Sequence, residues 1–446
     1  MPGFFLAPPD VRHADRIPPD SLAAMQVAWN QVWFAPRCTR LIVLEDVYVT
    51  CEGLVFTRSL QVLEPSVKEH APEHVASGRA AVEGVIAGGR VERVRGDVVL
   101  CRKRGAANYG HWMAEMLPKA WLAIQHWPGP LRFMLQAVAQ PLRSVMRDSL
   151  AHLGVGEAAC HEAGPAPVLV DRLILVDGLT EHGTYMSSLV ADCLRAVASS
   201  VQPARHERLL IVRDSVASRR FADQARLTER ARRAGFLVLD PARLSLQQQI
   251  SVFKGARRVV GAAGSAMTNI AFASPGAEAS TLAPATMRDT FFWFIAGLCS
   301  LRYREIRCQQ RPPKLGPAEW DVSIALDGDD EDACIAPADD RAADWRSRRD
   351  LVEAAVNRHF DAGYYLARNA DVAAAQLDPL THFLTFGWRE GRDPSPRFST
   401  RAYLEAYPDV LRAGMNPLLH FAAFGQSEGR SAQPVPAVNE GLPRHP

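Results

Sequence analysis

Between residues 188 and 300 the chain switches its hydrophobic period repeatedly, and that alternation limits the folds open to it. A helical stretch, SSLVADCLRAVASS, leads to the short apolar run RLLIVR, then the amphipathic DQARLTERARRAG, then the run FLVL. The helical LSLQQQISVFKGA follows, then RRVVG, a Gly/Ala/Ser loop, the short helix MTNIAFA and a last run, AEASTL. Short apolar strands separated by helices predict a parallel sheet covered on both faces, an α/β architecture. Residues 303–326 complete this body.

The rest of the 446 residues divides around it. At about 100–200 residues per domain, two or three domains are expected. Residues 1–187 carry strand-like runs at LIVLEDVYV, VERVRGDVVLC, LRFML and VLVDRLILV, with helical patterns at 111–126 and 140–153. Residues 188–326 form the alternating region, and 327–349 are acidic, aperiodic and read as a linker or long surface loop. Residues 350–432 hold an internal repeat with an offset of 38, which aligns Tyr365 with Tyr403, Asp371 with Asp409, His382 with His420 and Gly387 with Gly425. Each copy reads as two or three short helices. Two copies are few for a solenoid, so a compact helical pair packed on something else is expected. The recurrent aromatics read as core and the two histidines as packing or capping groups. Trp388, unmatched by Gln426, reads as a candidate exposed contact.

Composition excludes several functions. The net charge is +2, which gives no case for nucleic acid. Eight cysteines contain no CxxC pair, so neither a disulfide framework nor a zinc site is expected, and a reducing compartment fits. No run of about 18 apolar residues is present, so no membrane-spanning helix is expected. A cytoplasmic location follows, with a peripheral position at the inner face of the cell membrane still open.

Three stretches carry chemistry. In VVGAAGSAMTNIAF, a buried strand enters a small-residue loop and then a helix. Gly264 permits close backbone approach, the helix start offers N–H groups to an anion, Ser265 adds a hydroxyl donor, and Asn269 either bonds a ligand or caps locally. A tight turn packed with small residues explains the same letters equally well. In NYGHWMAEMLPKAW, His111 and Glu115 share a helix face one turn apart, with Pro118 kinking or restarting the helix. The pair suits acid–base work, or else satisfies two half-buried groups. In IVRDSVASRRFADQARL, Arg213 stands at the carboxyl end of a strand and Arg219 on the following loop, both suited to phosphate. Arg220 reads equally well as a solvated partner of Asp214 and Asp223.

Taken together and in order, the three stretches resemble glycosyltransferase family 61. NYGHWMAEMLPKAW is similar to its N-(Y/F)-x-H-W-x-x-E-x-L-P segment, IVRDSVASRRF to its R-x(4–6)-R-R segment, and residues 244–278 to its L-S-x-x-x-Q … V-V-G-x-H-G segment. The matched positions add Asn108 and Gln249 to the candidate residues. The resemblance implies two Rossmann-like lobes of the GT-B type, with residues 1–187 on the acceptor side and 188–326 on the nucleotide-sugar side, followed by the small all-α repeat region. It implies inverting transfer from a nucleotide sugar, for instance a UDP-sugar, to a glycan or lipid-linked glycan, with no cofactor and no metal. The C-terminal repeats resemble modules appended to bacterial glycosyltransferases, which implies capsule or exopolysaccharide assembly and a membrane or assembly partner for residues 350–432. In this scheme Glu115 is the favoured base, His111 orients it or binds substrate, and Arg213, Arg219, Gly264, Ser265 and Asn269 hold the donor. Two departures stand out. Ala263 replaces a frequent His and Thr281 a usual Glu. They leave open an alternative, a catalytically impaired member acting as a glycan-binding or assembly scaffold.

Overall fold

The computed structural model describes residues 3–68, 70–162, 164–214, 218–335 and 344–433. Over these residues the chain forms two compact units, Asp10–Leu22 with Cys38–Ala338, and Met1–Pro9 with Ala23–Arg37 and Asp339–Pro446.

The larger unit is built on two sheets. The first has six strands in the order Val55–Phe56, Arg40–Val49, Val168–Asp177, Arg93–Cys101, Leu131–Leu135 and Cys160–Glu162. Its four long strands lie where alternating and β-branched runs place them in the sequence. The second has seven strands, and five of them run parallel in the order Leu237–Leu239, Arg208–Ile211, Arg258–Ala262, Glu278–Pro284 and Arg302–Arg311. Arg258–Ala262 and Glu278–Pro284 are buried along their whole length, as a sheet covered on both faces requires. Connecting helices begin where the sequence supplies caps. The Ser187 hydroxyl accepts from Leu189 N, and Ser245 and Gln248 exchange side-chain and backbone hydrogen bonds in a capping box.

The start of the chain is shared out in a way that residue order does not announce. Strand Asp10–Arg12 pairs in parallel with Arg302–Arg311 at the edge of the second sheet. Phe5, Val32 and Trp33 instead join the aromatic core of the smaller unit. Residues 1–187 therefore do not stay together: a short, largely charged strand joins the second sheet, while apolar residues on either side of it join a different core.

The acidic stretch also departs from the sequence reading. Gly328–Ile335 is a helix, not linker, and its Asp330 and Glu331 are buried. Arginines neutralise them. Asp330 meets His13 Nε2 at 2.7 Å and Arg12 Nε at 3.1 Å, and Glu331 meets Arg226 Nη2 at 2.6 Å and Arg230 Nη1 at 2.5 Å. Acidity predicts a loop only when no counter-charge is folded against it. Residues 336–343 of that stretch lie outside the described residues.

In the smaller unit the two sequence copies make the same bonds. Tyr365 Oη contacts His382 Nδ1 at 3.0 Å, and Tyr403 Oη contacts His420 Nδ1 at 3.1 Å. Arg392 holds Asp371 through both guanidinium nitrogens, and Arg430 holds Asp409 in the same fork. Each copy ends in a wide helical turn, Phe383–Gly387 and Phe421–Gly425. The closing glycines are dictated by packing, since a Cβ at either would overlap the tyrosine hydroxyl of its own copy. Trp388 corrects an expectation. It is only 6% exposed, packed in the core that Phe5 and Trp33 complete, with Arg389 stacked 4.5 Å from its ring.

Gly387→Ala is expected to lower stability by about 1–3 kcal/mol through overpacking. Adding Tyr365→Phe removes the colliding oxygen, so the double variant should be more stable than Gly387→Ala alone. Unfolding followed by tryptophan fluorescence checks this, and a double variant that is weaker still would refute the clash.

Candidate active site

In the second sheet the chain passes from Arg208–Ile211 to an outer strand on one side, then back to Arg258–Ala262 on the other. The crevice between those two strand ends is the topological switch point, where open α/β sheets bind ligands. Arg213 and Gly264 sit there. Close strand packing explains Gly261, whose Cβ would lie 2.7 Å from both Ile211 Cβ and Met267 Sδ. Gly264 has a different reason. The Arg213 guanidinium lies against its backbone, in the space a Cβ would take.

Arg213 is 8% exposed and donates Nε to Ser218 O at 3.2 Å. Burial pushes its guanidinium down to about 10, and the charge of Arg219 acts in the same direction. Arg219 is lowered by burial too, against the charges of Asp321 and Asp289. Its Nη1 lies 3.9 Å from Met287 Sδ. Neither arginine is ion-paired among the described residues. Ser265 opens the helical turn Ser265–Phe272, and its hydroxyl makes no hydrogen bond among the described residues. Arg220 folds back on the loop, donating to Arg213 O and Asp214 O at 3.1 and 2.5 Å. Residues 215–217 of this arginine segment lie outside the described residues.

The second half of the site comes from the segment that follows strand Arg93–Cys101 of the first sheet. Asn108 caps a helix, its side chain accepting from Gly110 N at 2.8 Å. The helical path runs through Tyr109–His111, a wider π turn over Trp112–Met116, and Leu117–His126. Pro118 has no N–H to give to the preceding turn, and the wide turn lets Leu117 N bond Trp112 O instead. The turn carries Glu115 inward to 3% exposure. Its carboxylate meets His111 Nδ1 at 2.9 Å and His182 Nδ1 at 3.8 Å, and the Lys103 ammonium is ion-paired to the other oxygen. Burial alone would raise the Glu115 carboxyl. Hydrogen bonds from the two histidines and the charge of Lys103 outweigh it and hold the group well below the usual carboxylate range.

His111, Glu115 and His182 bring their ligand atoms within 4.8 Å of one another. Two imidazoles and a carboxylate are a metal-binding set in principle. Lys103 already neutralises this carboxylate, which weakens it as a ligand. Sequence reasoning missed Lys103 and His182. Lys103 lies in the basic run CRKRG just before the motif, and His182 in the hairpin between Thr180–Glu181 and Tyr185–Met186.

The two halves are pinned together by a buried polar chain. Tyr109 Oη donates to Asn269 Oδ1 at 2.5 Å. Asn269 Nδ2 donates to Gln249 Oε1 at 2.9 Å and to Ala266 O at 3.1 Å, and Gln249 Nε2 donates to Leu244 O at 3.1 Å. Asn269 is fully buried and its amide is engaged on both sides. Its side chain is thus bonded within the protein, including the local contact to Ala266 O, and Gln249 also donates and accepts internally, whereas Asn108 is exposed and caps Gly110 N. Asp289 is a further residue that sequence reasoning missed. Its carboxylate accepts from Phe291 N at 2.8 Å. Burial raises it, while the Phe291 bond and the charges of His182, His111 and Arg219 pull it down, so it feels both halves of the site.

The two departures noted in the sequence share one wall. Ala263 and Thr281 line a narrow space with Asp289, Glu305 and Arg307. Thr281 is the register partner of Glu305. A buried acid therefore stands one strand over from position 281, hydrogen-bonded by Tyr303 Oη at 2.9 Å and ion-paired to Arg307.

Residues 109–279 match the model of the Glycosyltransferase 61 family. The matched stretch contains His111, Glu115, Arg213, Arg219 and the glycine loop. No curated protein matches the chain. The family match supports glycosyl transfer as the class of activity, with a sugar donor and an acceptor in general terms. No described helix is long and apolar enough to cross a membrane.

Asn269→Ala is expected to destabilise the protein by about 1–3 kcal/mol, because it leaves Tyr109 and Gln249 without a buried partner. A melting temperature equal to wild type would contradict the bridging role. Glu115 also makes a signed prediction. Its carboxyl is depressed in the folded protein, so its contribution is present above the ordinary value of 4.5 and fades as pH falls below it. The stability gap between wild type and Glu115→Gln should be full at neutral pH and shrink below about pH 5. A gap that widens in acid would contradict the ion-paired carboxylate.

Proposed function

We propose that the chain is an inverting glycosyltransferase, moving a sugar from a nucleotide sugar to a glycan acceptor between two lobes of the GT-B kind. One observation carries this reading. Within the family-matched segment, a carboxylate-held imidazole and two arginines without a carboxylate ion pair among the described residues belong to one compact unit, and the charges of His111 and Arg219 both act on Asp289, just beyond that segment.

His111 is the better base. Glu115 is buried, shared by two histidines and ion-paired to Lys103, and a carboxylate held so far down is a weak proton acceptor. With Nδ1–H given to Glu115, the imidazole keeps Nε2 to take the proton of the acceptor hydroxyl. That oxygen then attacks the anomeric carbon while the bond to the nucleoside diphosphate breaks on the opposite face. Arg213, Arg219, the Ser265 hydroxyl and the N–H groups after Gly264 take up the leaving charge without a metal. Glu115 is then a positioning residue. The repeats favour a setting in bacterial surface or exopolysaccharide assembly, as their resemblance to appended modules implies.

His111→Gln is expected to lower the transfer rate by about 10²–10⁴ with little change in donor binding. Arg213→Ala is expected to lose about 10² or more through the leaving group. Steady-state kinetics with separated donor and acceptor terms checks both. If His111→Gln keeps its rate while Glu115→Gln is dead, the base is Glu115. A second reading, an impaired scaffold, rests on Ala263 and Thr281. It requires that no nucleotide sugar is turned over while glycan still binds.

A further inference from the structure

Strand Arg93–Cys101 runs parallel to both its neighbours and ends beside a cavity of about 60 Å³. The wall carries Lys68, Arg102, Lys103 and Lys119 against two carboxylates, Glu115 and Asp177. Both carboxylates are already engaged. Asp177 takes Lys68 at 2.5 Å and Arg40 at 2.9 Å, and Glu115 takes Lys103 and His111. Arg102 is 1% exposed, donates Nε and Nη2 to Cys51 O at 3.0 and 2.6 Å, and leaves Nη1 buried with no partner among the described residues. Lys119 makes no hydrogen bond or ion pair among the described residues. Burial lowers its ammonium, and the nearby Lys103 adds to the effect.

Uncompensated cations in a protein wall are costly, and the cost falls when an anion enters. The position makes this more than a general charge effect. Lys119 lies one helical turn after Glu115, and Lys103 touches Glu115 directly. The cavity therefore borders the carboxylate that orients His111. On the same measure one water needs about 10–15 Å³, so the space has room for a compact oxyanion.

We propose that this cavity is an anion subsite for the acceptor, holding a carboxylate or phosphate group on Lys119, Lys103 and Lys68 so that a neighbouring hydroxyl reaches His111. The acceptor is then an acidic or phosphorylated glycan, not a neutral one. The assignment of the anion to the acceptor rests on the transferase reading; the anion site itself does not.

The test is thermal unfolding of the full chain in inorganic phosphate, glucuronate or chloride at constant ionic strength, with nucleoside diphosphates run on the same samples. Phosphate, glucuronate or both should raise the melting temperature of wild type over chloride. A response to phosphate alone identifies a phosphorylated acceptor and to glucuronate alone an acidic sugar. Lys119→Met should weaken the response by roughly tenfold or more, and melt no lower than wild type in chloride. Lys119→Arg should keep the response, and Lys68→Met should reduce it, which serves if Lys119→Met fails to fold. Arg213→Ala should leave it intact. No response to either anion, or a response that survives Lys119→Met and vanishes in Arg213→Ala, overturns the subsite. A nucleotide shift without an anion response removes the subsite and leaves the transferase reading. An anion response without any nucleotide shift keeps the anion site and counts against that reading.

Discussion

The hydrogen bond from Tyr109 to Asn269 is the constraint on which the site depends. It joins the residue before Gly110 to the turn after Gly264, so the two motif segments meet although 160 residues separate them. Gly110 allows the contact, because a Cβ there would lie 2.9 Å from Thr268 Oγ1. Asn269 is fully buried and Tyr109 half-buried, so losing the tyrosine hydroxyl would leave a buried amide oxygen short of a partner. The bridge fixes where His111 stands relative to the glycine loop. Catalysis by positioning tolerates little error in that distance.

Charge is then distributed unequally around the bridge. On one side a carboxylate is surplus-neutralised by Lys103 and two histidines, which turns it into a holder of imidazole. On the other side Arg213 and Arg219 are left without carboxylates, held partly buried beside a glycine that gives Arg213 its room. A base needs a proton-accepting nitrogen and a leaving diphosphate needs positive charge. On the proposed reading the two halves supply one each, and Asp289 feels the charges of His111, His182 and Arg219. A buried acid, Glu305, stands one strand from Thr281 and is tied to Arg307.

Much of this was legible in the sequence, for identifiable reasons. The second sheet follows from the alternation of periods, and Arg213, Gly264 and Ser265 fall at strand ends because the strands were readable. The His111–Glu115 pair follows from helical spacing. What stayed hidden was long-range. Lys103 and His182 carry no local pattern that points to Glu115, and only the fold of the hairpin and the basic loop brings them there. Asn269 read as a ligand contact or a local cap, and no sequence pattern announced its further partner Tyr109, 160 residues earlier. Trp388 looked exposed because its repeat partner is Gln426, whereas the N-terminal Phe5 and Trp33 bury it. Acidity misplaced the helix Gly328–Ile335, since the arginines that neutralise it come from distant segments.

The central claim is a metal-independent donor site at the switch point of the second sheet. Calorimetric titration of the full chain with UDP, GDP and CMP, in chelator, tests it most directly. The account predicts that one of them binds in chelator and that Arg213→Ala loses it while remaining folded. Binding of none, or binding only when a divalent cation is restored, would contradict it. The second result would move the leaving-group charge from the arginines to a metal held by His111, Glu115 and His182.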